Sequence, residues 1–165
     1  MALLLPKLIY DSICDLTPEV LQLHEISVLL MDFDNTIVPY TSNIPTPEVV
    51  DWFRSVQAAG IQLCVVSNTT KERAPAFCRQ YGIDCITHAK KPFTAGIRRA
   101  IGRYEAPSSA IALVGDQIYT DVLGANCAGI TSILIRPLHL HNIWLKLRHM
   151  LEKPWIALGR RRGKT

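Results

Sequence analysis

The chain has 165 residues, of which 48% are hydrophobic and 19% charged, and its formal net charge at pH 7 is +4. A chain of this size and composition can bury a full core, which excludes a disordered protein, and it has no linker that would separate two large domains. The first ten residues are apolar but interrupted by Pro6 and Lys7, so they predict neither a signal peptide nor a membrane span. Five cysteines without a Cys-x-x-Cys pair predict reduced thiols and a cytoplasmic location.

Short apolar runs alternate along the chain with amphipathic stretches. Strands are predicted near residues 26–32, 61–66, 83–86, 110–114 and 131–135, and helices near 46–59, 71–81, 93–104 and 119–128. Strands that alternate with helices imply βαβ units and a parallel sheet covered on both faces. The sequence therefore predicts an α/β protein, a Rossmann-like three-layer sandwich around a central parallel sheet of about five strands.

Polar segments follow four of these apolar runs. The segment Asp32-Phe33-Asp34-Asn35-Thr36 closes the first run, Ser67-Asn68 closes the second, and Lys91-Pro92 and Gly115-Asp116-Gln117 with Thr120-Asp121 come later. In parallel sheets ligands bind beyond the carboxyl ends of the strands, at the point where the strand order reverses. The four segments are therefore expected to form one site.

The residue types in these segments suit phosphoryl transfer through an aspartyl-phosphate, which needs a carboxylate nucleophile, an acid/base group and positive charge. Asp32 is assigned as the nucleophile because it comes first as the strand ends. Asp34 is assigned as the general acid that protonates the leaving oxygen and then activates water. Ser67 and the Asn68 backbone would donate hydrogen bonds to phosphate oxygens, and Lys91 would neutralise the charge.

Two carboxylates and a phosphate need a cation in the same site. An all-oxygen set of Asp32, the Asp34 backbone carbonyl and Asp116 suits octahedral Mg²⁺, which keeps several waters. Asp121 would not bind the ion directly but would orient the residues that do.

Each segment also has an ordinary structural interpretation. Asp34-Asn35-Thr36 is typical of a turn after a strand, and Ser67-Asn68-Thr69-Thr70 is typical of a helix N-cap. Lys90-Lys91 reads as a solvated pair, and Asp116 and Asp121 as acids near a helix start. The occurrence of all four segments at strand ends, in this order, favours a single catalytic site.

The four segments resemble the motifs of the haloacid dehalogenase superfamily of phosphatases. The resemblance extends over about residues 5–137 and narrows to the YqeG family and its relatives among the phosphatidylglycerophosphate phosphatases. The segments that carry this closer resemblance are Leu16-Thr17-Pro18-Glu19, Ala89-Lys90-Lys91-Pro92 and Val122-Leu123-Gly124-Ala125-Asn126. Ala125, where a second glycine is expected, and Phe33, where the family more often has an aliphatic residue, depart from the pattern.

The intervals between the motifs are too short to hold an inserted cap domain. An open site is therefore expected, with residues 1–137 as a capless phosphatase domain. The resemblance implies a Mg²⁺-dependent phosphatase of phosphatidylglycerophosphate. It also implies that capless members act on macromolecular or membrane-embedded substrates or use a neighbouring subunit as a lid, which would make the protein a homo-oligomer.

Residues 138–165 form a basic amphipathic segment. Apolar residues recur at three- and four-residue spacing with basic residues between them, and Trp155 and Arg160-Arg161-Arg162-Gly163-Lys164 follow. The apolar positions are Leu140, Ile143, Trp144, Leu147, Met150 and Leu151. Such a segment suits an anionic membrane surface, and it suits equally a helix that docks on the domain core.

Other functions remain as alternatives on the sequence alone. The substrate could be a soluble or protein-borne phosphate, and a binding module could keep the fold without turnover. No nucleic-acid motif accompanies the arginines, so a specific nucleic-acid partner is not expected. His139, His141 and His149 have no carboxylate or cysteine at ligand spacing and are interpreted as surface residues.

Overall fold

The computed structural model describes residues 2–139 and 143–162, with side chains for residues 3–139 and 150–159. Within these residues six strands form one parallel sheet. They are β1 (Leu8–Ile9), β2 (Val28–Met31), β3 (Gln62–Val66), β4 (Asp84–Ile86), β5 (Ile111–Gly115) and β6 (Thr131–Leu134). Their order in the sheet is β1-β6-β5-β2-β3-β4. The predicted α/β class and parallel sheet are confirmed.

Helices cover both faces of the sheet. They are α1 (Pro18–Leu23), α2 (Pro47–Ala58), α3 (Arg73–Tyr81), α4 (Thr94–Ile101), α5 (Leu123–Ala128) and α6 (Ile143–Arg162). Alternate residues of β2 enter opposite cores: Leu29 packs in the cluster that contains Phe53 of α2, and Leu30 packs in the cluster that contains Ile97 of α4. The three-layer arrangement follows, because the two faces of β2 pack in cores that hold helices on opposite sides of the sheet.

Local signals set the helix boundaries. Thr46 caps α2, since its side chain accepts a hydrogen bond from Val49 N at 3.4 Å, and Pro47 occupies the first helical position. Gly82 and Gly129 end α3 and α5 with φ angles of 64° and 79°, in the left-handed region that favours glycine. Helix α5 continues a π-helical turn over Ile118–Val122, which the sequence pattern included in one helix near 119–128.

Two elements were not predicted. Strand β1 has two residues, lies at the edge of the sheet and pairs with β6. It was missed because an apolar segment interrupted by Pro6 shows no strand periodicity. Helix α1 has six residues, too few for a helical pattern to be recognised, although Thr17 caps it and Pro18 begins it. The sheet therefore has six strands where about five were expected.

The order of the strands reverses at β2. From β2 the chain continues outward to β3 and β4, and it then crosses to the other side of β2 to form β5 and β6. The crevice at such a reversal is where ligands bind in open α/β sheets. Asp32 directly follows β2 and therefore lies at this crevice.

No folded unit is inserted between β2 and α2 or between β4 and α4, and the structure describes all of residues 32–93. The connection from Asp32 to Thr46 is a loop with one isolated bridge between Asp34 and Val38. The carboxyl edge of the sheet therefore has no cap in this part of the chain.

Helix α6 packs along the β1 edge of the sheet. Trp155 and Ile156 join a small apolar cluster with Ile9 and Leu134, and Gly159 fits against Pro6 and Ile9. Residues 155–159 of the C-terminal segment thus pack on the domain. The side chains of residues 140–149 and 160–165, which include His141, His149 and the arginine run, lie outside the described residues. No helix of the described residues is both long and apolar enough to cross a membrane.

Gly96 brings helix α4 against the loop that carries Lys91. A Cβ atom at Gly96 would overlap the backbone of Ala89, which cannot move without displacing the neighbouring Lys90 and Lys91. Close approach of backbone to backbone is the reason for glycine at this position.

Gly96→Ala should destabilise the protein by about 1–3 kcal/mol, as overpacking does in a close-packed interior. Urea unfolding measures the free energy. Gly102→Ala is the control, because Gly102 has a φ of −66° and its Cβ would meet only the Arg98 carbonyl at 3.4 Å. If both substitutions have the same effect, the contact with Ala89 does not determine the stability.

Candidate active site

A buried lysine joins two of the polar segments. The Lys91 side chain is 1% exposed, and its Nζ lies 2.6 Å from Asp32 Oδ1 and 2.7 Å from Asp121 Oδ1. Burial lowers the pKa of Lys91, but the carboxylates of Asp121 and Asp32 outweigh burial and raise that pKa above its ordinary value. The lysine is therefore a fixed cation between β2, the loop after β4 and the turn after β5.

Three carboxylates lie close together here, and two of them contact Lys91. Asp32, Asp116 and Asp121 are buried, and each offers an oxygen within 4.8 Å of the other two. Burial raises the pKa of Asp32 to about 6 against the opposing effect of Lys91. The pKa of Asp116 is raised well above its ordinary value, first by burial and then by the charges of Asp32 and Asp121. One ammonium group does not balance three buried carboxylates.

The donor set fits a small divalent cation. Among the described residues Asp116 Oδ1 is buried without a hydrogen-bond partner, which is costly unless a ligand satisfies it. Clustered carboxylate oxygens are the ligands that Mg²⁺ prefers. The cluster of Asp32, Asp116 and Asp121 could therefore hold a metal ion, and it includes Asp121, which the sequence placed behind the ligand set.

The turn after β5 positions Asp116 and Asp121. Asp121 Oδ2 accepts a hydrogen bond from Gln117 N at 3.2 Å, so this carboxylate closes the turn as well as pairing with Lys91. A Cβ atom at Gly115 would overlap the Asp121 carboxyl group. Glycine is thus needed at the last position of β5 for Asp121 to reach the site.

Asn68 holds the Lys91 loop through its side chain. Its Oδ1 accepts from Lys91 N at 2.7 Å and its Nδ2 donates to Lys91 O at 3.0 Å, beside the cis peptide bond between Lys91 and Pro92. Ser67 is buried at the end of β3, and its Oγ accepts from Thr69 N at 3.1 Å. These contacts bring Ser67 and Asn68 to the same edge as Asp32 and Lys91.

Asp34 lies apart from the carboxylate cluster. Its Oδ1 pairs with Arg73 Nη1 at 2.7 Å, and the Arg73 guanidinium also lies 5.3 Å from the centre of the Phe33 ring. Arg73 further donates to the carbonyls of Pro39 and Ser42 and to the Asn43 side chain. The sequence did not predict this residue, because a basic residue in the first turn of a helix is ordinarily solvated.

Asn35, which the sequence places in the first motif and its turn, holds the chain that follows β6. It is fully buried with a φ of 67°, and its side chain donates to His139 O at 2.7 Å and accepts from His139 N at 3.1 Å. Leu138 N also donates to the Asn35 carbonyl at 3.0 Å. The chain after β6 therefore crosses directly beside the first motif.

Several ordinary interpretations of the motifs are not what the structure shows. The N-cap position of α3 is Glu72, not Ser67 or its neighbours, and it forms no side-chain cap. Lys91 is buried whereas Lys90 is exposed, so the two lysines are not a solvated pair. Asp121 does close a helical turn, and it pairs with Lys91 at the same time.

A model of the haloacid dehalogenase-like hydrolase family matches residues 15–129, which is more than half of the chain. The chain belongs to this family. It is also 30% identical over 160 residues to the probable phosphatase YqeG of Bacillus subtilis (strain 168), with 96% of this chain and 93% of that protein covered. The expected superfamily, the YqeG resemblance and the expected enzyme class, a phosphatase hydrolase, are confirmed.

Solved structures share the fold at low sequence identity. An uncharacterized protein from Listeria monocytogenes serotype 4b is 16% identical with a TM-score of 0.55, and the match covers 78% of this chain and 99% of that one. The cobalt-bound deoxy-D-mannose-octulosonate 8-phosphate phosphatase from Haemophilus influenzae is 14% identical with a TM-score of 0.55, and the match covers 77% of each chain. These similarities support the fold of the hydrolase.

Asp116→Asn should raise the thermal midpoint of the metal-free hydrolase near pH 8. An acid whose pKa is higher in the folded than in the unfolded state weakens folding as the pH rises above its unfolded pKa, so the gain should shrink towards about pH 4. Each kcal/mol corresponds to roughly 2–4 °C in a protein of this size. Scanning calorimetry with a chelator present measures the midpoint.

Asp51→Asn serves as the control, because Asp51 is exposed and its pair with Arg54 is solvated. Addition of Mg²⁺ should raise the midpoint of the wild type and of the control more than that of Asp116→Asn. A lower midpoint for metal-free Asp116→Asn near pH 8 would contradict the interpretation that this charge opposes folding.

Proposed function

We propose that this hydrolase is a Mg²⁺-dependent phosphomonoesterase that works through a phosphorylated Asp32. The observation that supports the proposal is the buried ion pair between Lys91 and Asp32 beside the carboxylates of Asp116 and Asp121. A carboxylate held against a fixed cation at a strand end is positioned to attack a phosphorus atom that the same cation attracts.

In the first step an Asp32 carboxylate oxygen attacks phosphorus, and the bond between phosphorus and the ester oxygen breaks. Asp34 gives its proton to that leaving oxygen. In the second step Asp34 takes a proton from water, whose oxygen attacks phosphorus, and the bond to Asp32 breaks to release inorganic phosphate. Asp34 is partly exposed and lies outside the carboxylate cluster, so the leaving group and water can reach its carboxyl group.

The other motif residues bind the phosphoryl group. Lys91 neutralises charge on Asp32 and on the phosphoryl oxygens, and Ser67 Oγ and Asn68 N donate hydrogen bonds to those oxygens. The carboxylates of Asp32 and Asp116 and the Asp34 carbonyl would hold Mg²⁺, with Asp121 orienting the set. The bound ion supplies neutralisation of the anionic site during transfer.

The substrate we propose is phosphatidylglycerophosphate, which would give phosphatidylglycerol and phosphate. An edge without a cap over residues 32–93 can admit a phosphate on a bulky carrier. We propose that residues 1–137 form the phosphatase domain and that α6 docks on it, with the protein cytoplasmic and peripheral at an anionic membrane. A soluble or protein-borne phosphate is the alternative substrate.

Asp32→Asn should reduce phosphate release by about 10³-fold or more, because the amide cannot form the acyl phosphate. The fold should persist, since Lys91 keeps its pair with Asp121. Phosphate release from para-nitrophenyl phosphate, with circular dichroism of the same samples, measures both. Asp51→Asn should keep full activity, and substantial turnover by Asp32→Asn would exclude the phosphorylated aspartate.

Phosphate release from phosphatidylglycerophosphate in mixed micelles should exceed release from soluble esters and should require Mg²⁺. The comparison uses equal concentrations of glycerol 3-phosphate and of the lipid, with and without a chelator. Faster hydrolysis of soluble esters would favour the alternative substrate, and release that is unaffected by chelation would contradict the role of the metal.

A further inference from the structure

Exposed apolar side chains are concentrated at the edge of the sheet where the site opens. Among the described residues nine large hydrophobic side chains are exposed: Leu3, Leu23, Tyr40, Ile44, Phe93, Leu138, Met150, Leu151 and Leu158. Four of them, Tyr40, Ile44, Phe93 and Leu138, lie on loops that follow the carboxyl ends of β2, β4 and β6. Single exposed apolar residues are ordinary, but several around one cleft mark an interaction surface.

Each of these loops is tied to the catalytic motifs. Ile44 follows Asn43, whose side chain accepts from Arg73, and Arg73 pairs with Asp34. Phe93 lies two residues after Lys91, and its amide donates to the Lys90 carbonyl at 3.0 Å. Leu138 N donates to the Asn35 carbonyl. The apolar side chains therefore surround the opening that a substrate phosphate must enter.

Helix α6 extends this surface. Glu152 is buried and accepts from Ile118 N at 2.9 Å at the carboxyl edge, whereas Gly159 contacts Pro6 before β1. The helix thus runs from the edge at the carboxyl ends of the strands, here called the catalytic edge, towards the opposite edge. Met150 and Leu151, both exposed, lie in the middle of the helix beside Glu152.

Two exposed lysines at the same edge of the sheet favour an anionic partner. Lys71 and Lys90 are exposed on the loops after β3 and β4, and neither forms an ion pair among the described residues. The exposed acid Glu72 beside them pairs with Arg79. Apolar side chains interleaved with lysines suit a bilayer with anionic headgroups, where apolar groups enter the interface and each lysine near the surface adds attraction.

We infer that the catalytic edge is itself the membrane-docking surface, with Ile44, Phe93 and Leu138 inserted into the interface of an anionic bilayer. The inference rests on the proposed function, since it explains how a phosphate on a membrane lipid reaches Asp32. The bilayer then covers the cleft, over which residues 32–93 form no cap, and it excludes water from the phosphoryl group during transfer. The residues of this surface are separate in sequence from the arginine run of residues 160–162.

Vesicle binding tests the surface with a matched pair of substitutions. Ile44 is 78% exposed and Leu23, at the end of α1 on the opposite edge of the sheet, is 77% exposed. Flotation of the full chain is measured with vesicles that mix phosphatidylcholine with phosphatidylglycerol and with vesicles of phosphatidylcholine alone. Wild type and Leu23→Ser should bind the mixed vesicles equally and the phosphatidylcholine vesicles less.

Ile44→Ser combined with Phe93→Ser should weaken binding to the mixed vesicles about tenfold, which corresponds to ~1.4 kcal/mol. Phe93 is 73% exposed, so neither substitution opens the core. Hydrolysis of para-nitrophenyl phosphate should be unchanged in the double variant, and hydrolysis of a lipid phosphate in vesicles should fall with binding. An unchanged thermal midpoint confirms the fold.

Three results would each overturn the proposed docking surface. They are unchanged vesicle binding by the double variant, an equal loss of binding in Leu23→Ser, and no vesicle binding by the wild type. Hydrolysis of the soluble ester distinguishes failure of the docking surface from failure of the proposed function, because it does not require binding to a membrane. If the wild type hydrolyses the soluble ester but does not float, the surface is wrong and the phosphatase stands. If it floats through Ile44 and Phe93 but hydrolyses neither ester, the docking surface stands and the phosphatase is wrong.

Discussion

The site depends on one buried ammonium group. Lys91 connects Asp32 after β2 with Asp121 in the turn after β5, so three separate parts of the chain meet at its Nζ. Without this cation the carboxylates of Asp32, Asp116 and Asp121 would repel one another in a buried space. Because Lys91 offsets only part of that charge, the cluster could hold a further cation.

The fold supports the lysine through close backbone contacts. The Asn68 side chain holds both backbone polar groups of Lys91, and the neighbouring Ala89 packs directly against Gly96 of α4. On the other side Gly115 leaves room for the Asp121 carboxyl group. Small displacements of either loop would separate charged groups that lie 2.6–2.7 Å apart. The packing of the helices against these loops therefore determines the geometry of the site.

The central strands, the helices on both faces and the gathering of the four motifs were predictable, because the apolar periods are clear and parallel strands end at one edge. The residue roles assigned at the site remain proposals. Arg73 was not predictable, because its partner Asp34 is distant in sequence and an arginine in a first helical turn usually faces water. The two-residue strand β1 was missed for a different reason, since pairing with β6 alone defines it.

Glu152 forms a hydrogen bond beside the site but is synthesised after all of the proposed catalytic residues. This buried carboxylate on α6 accepts from Ile118 N, at the start of the helical turn that carries Asp121. A ribosome makes Asp32, Ser67, Lys91 and Asp116 well before it reaches residue 152. The nascent chain therefore holds every proposed catalytic group while the Ile118 amide still lacks its acceptor, and that hydrogen bond can form only after residue 152 has been made.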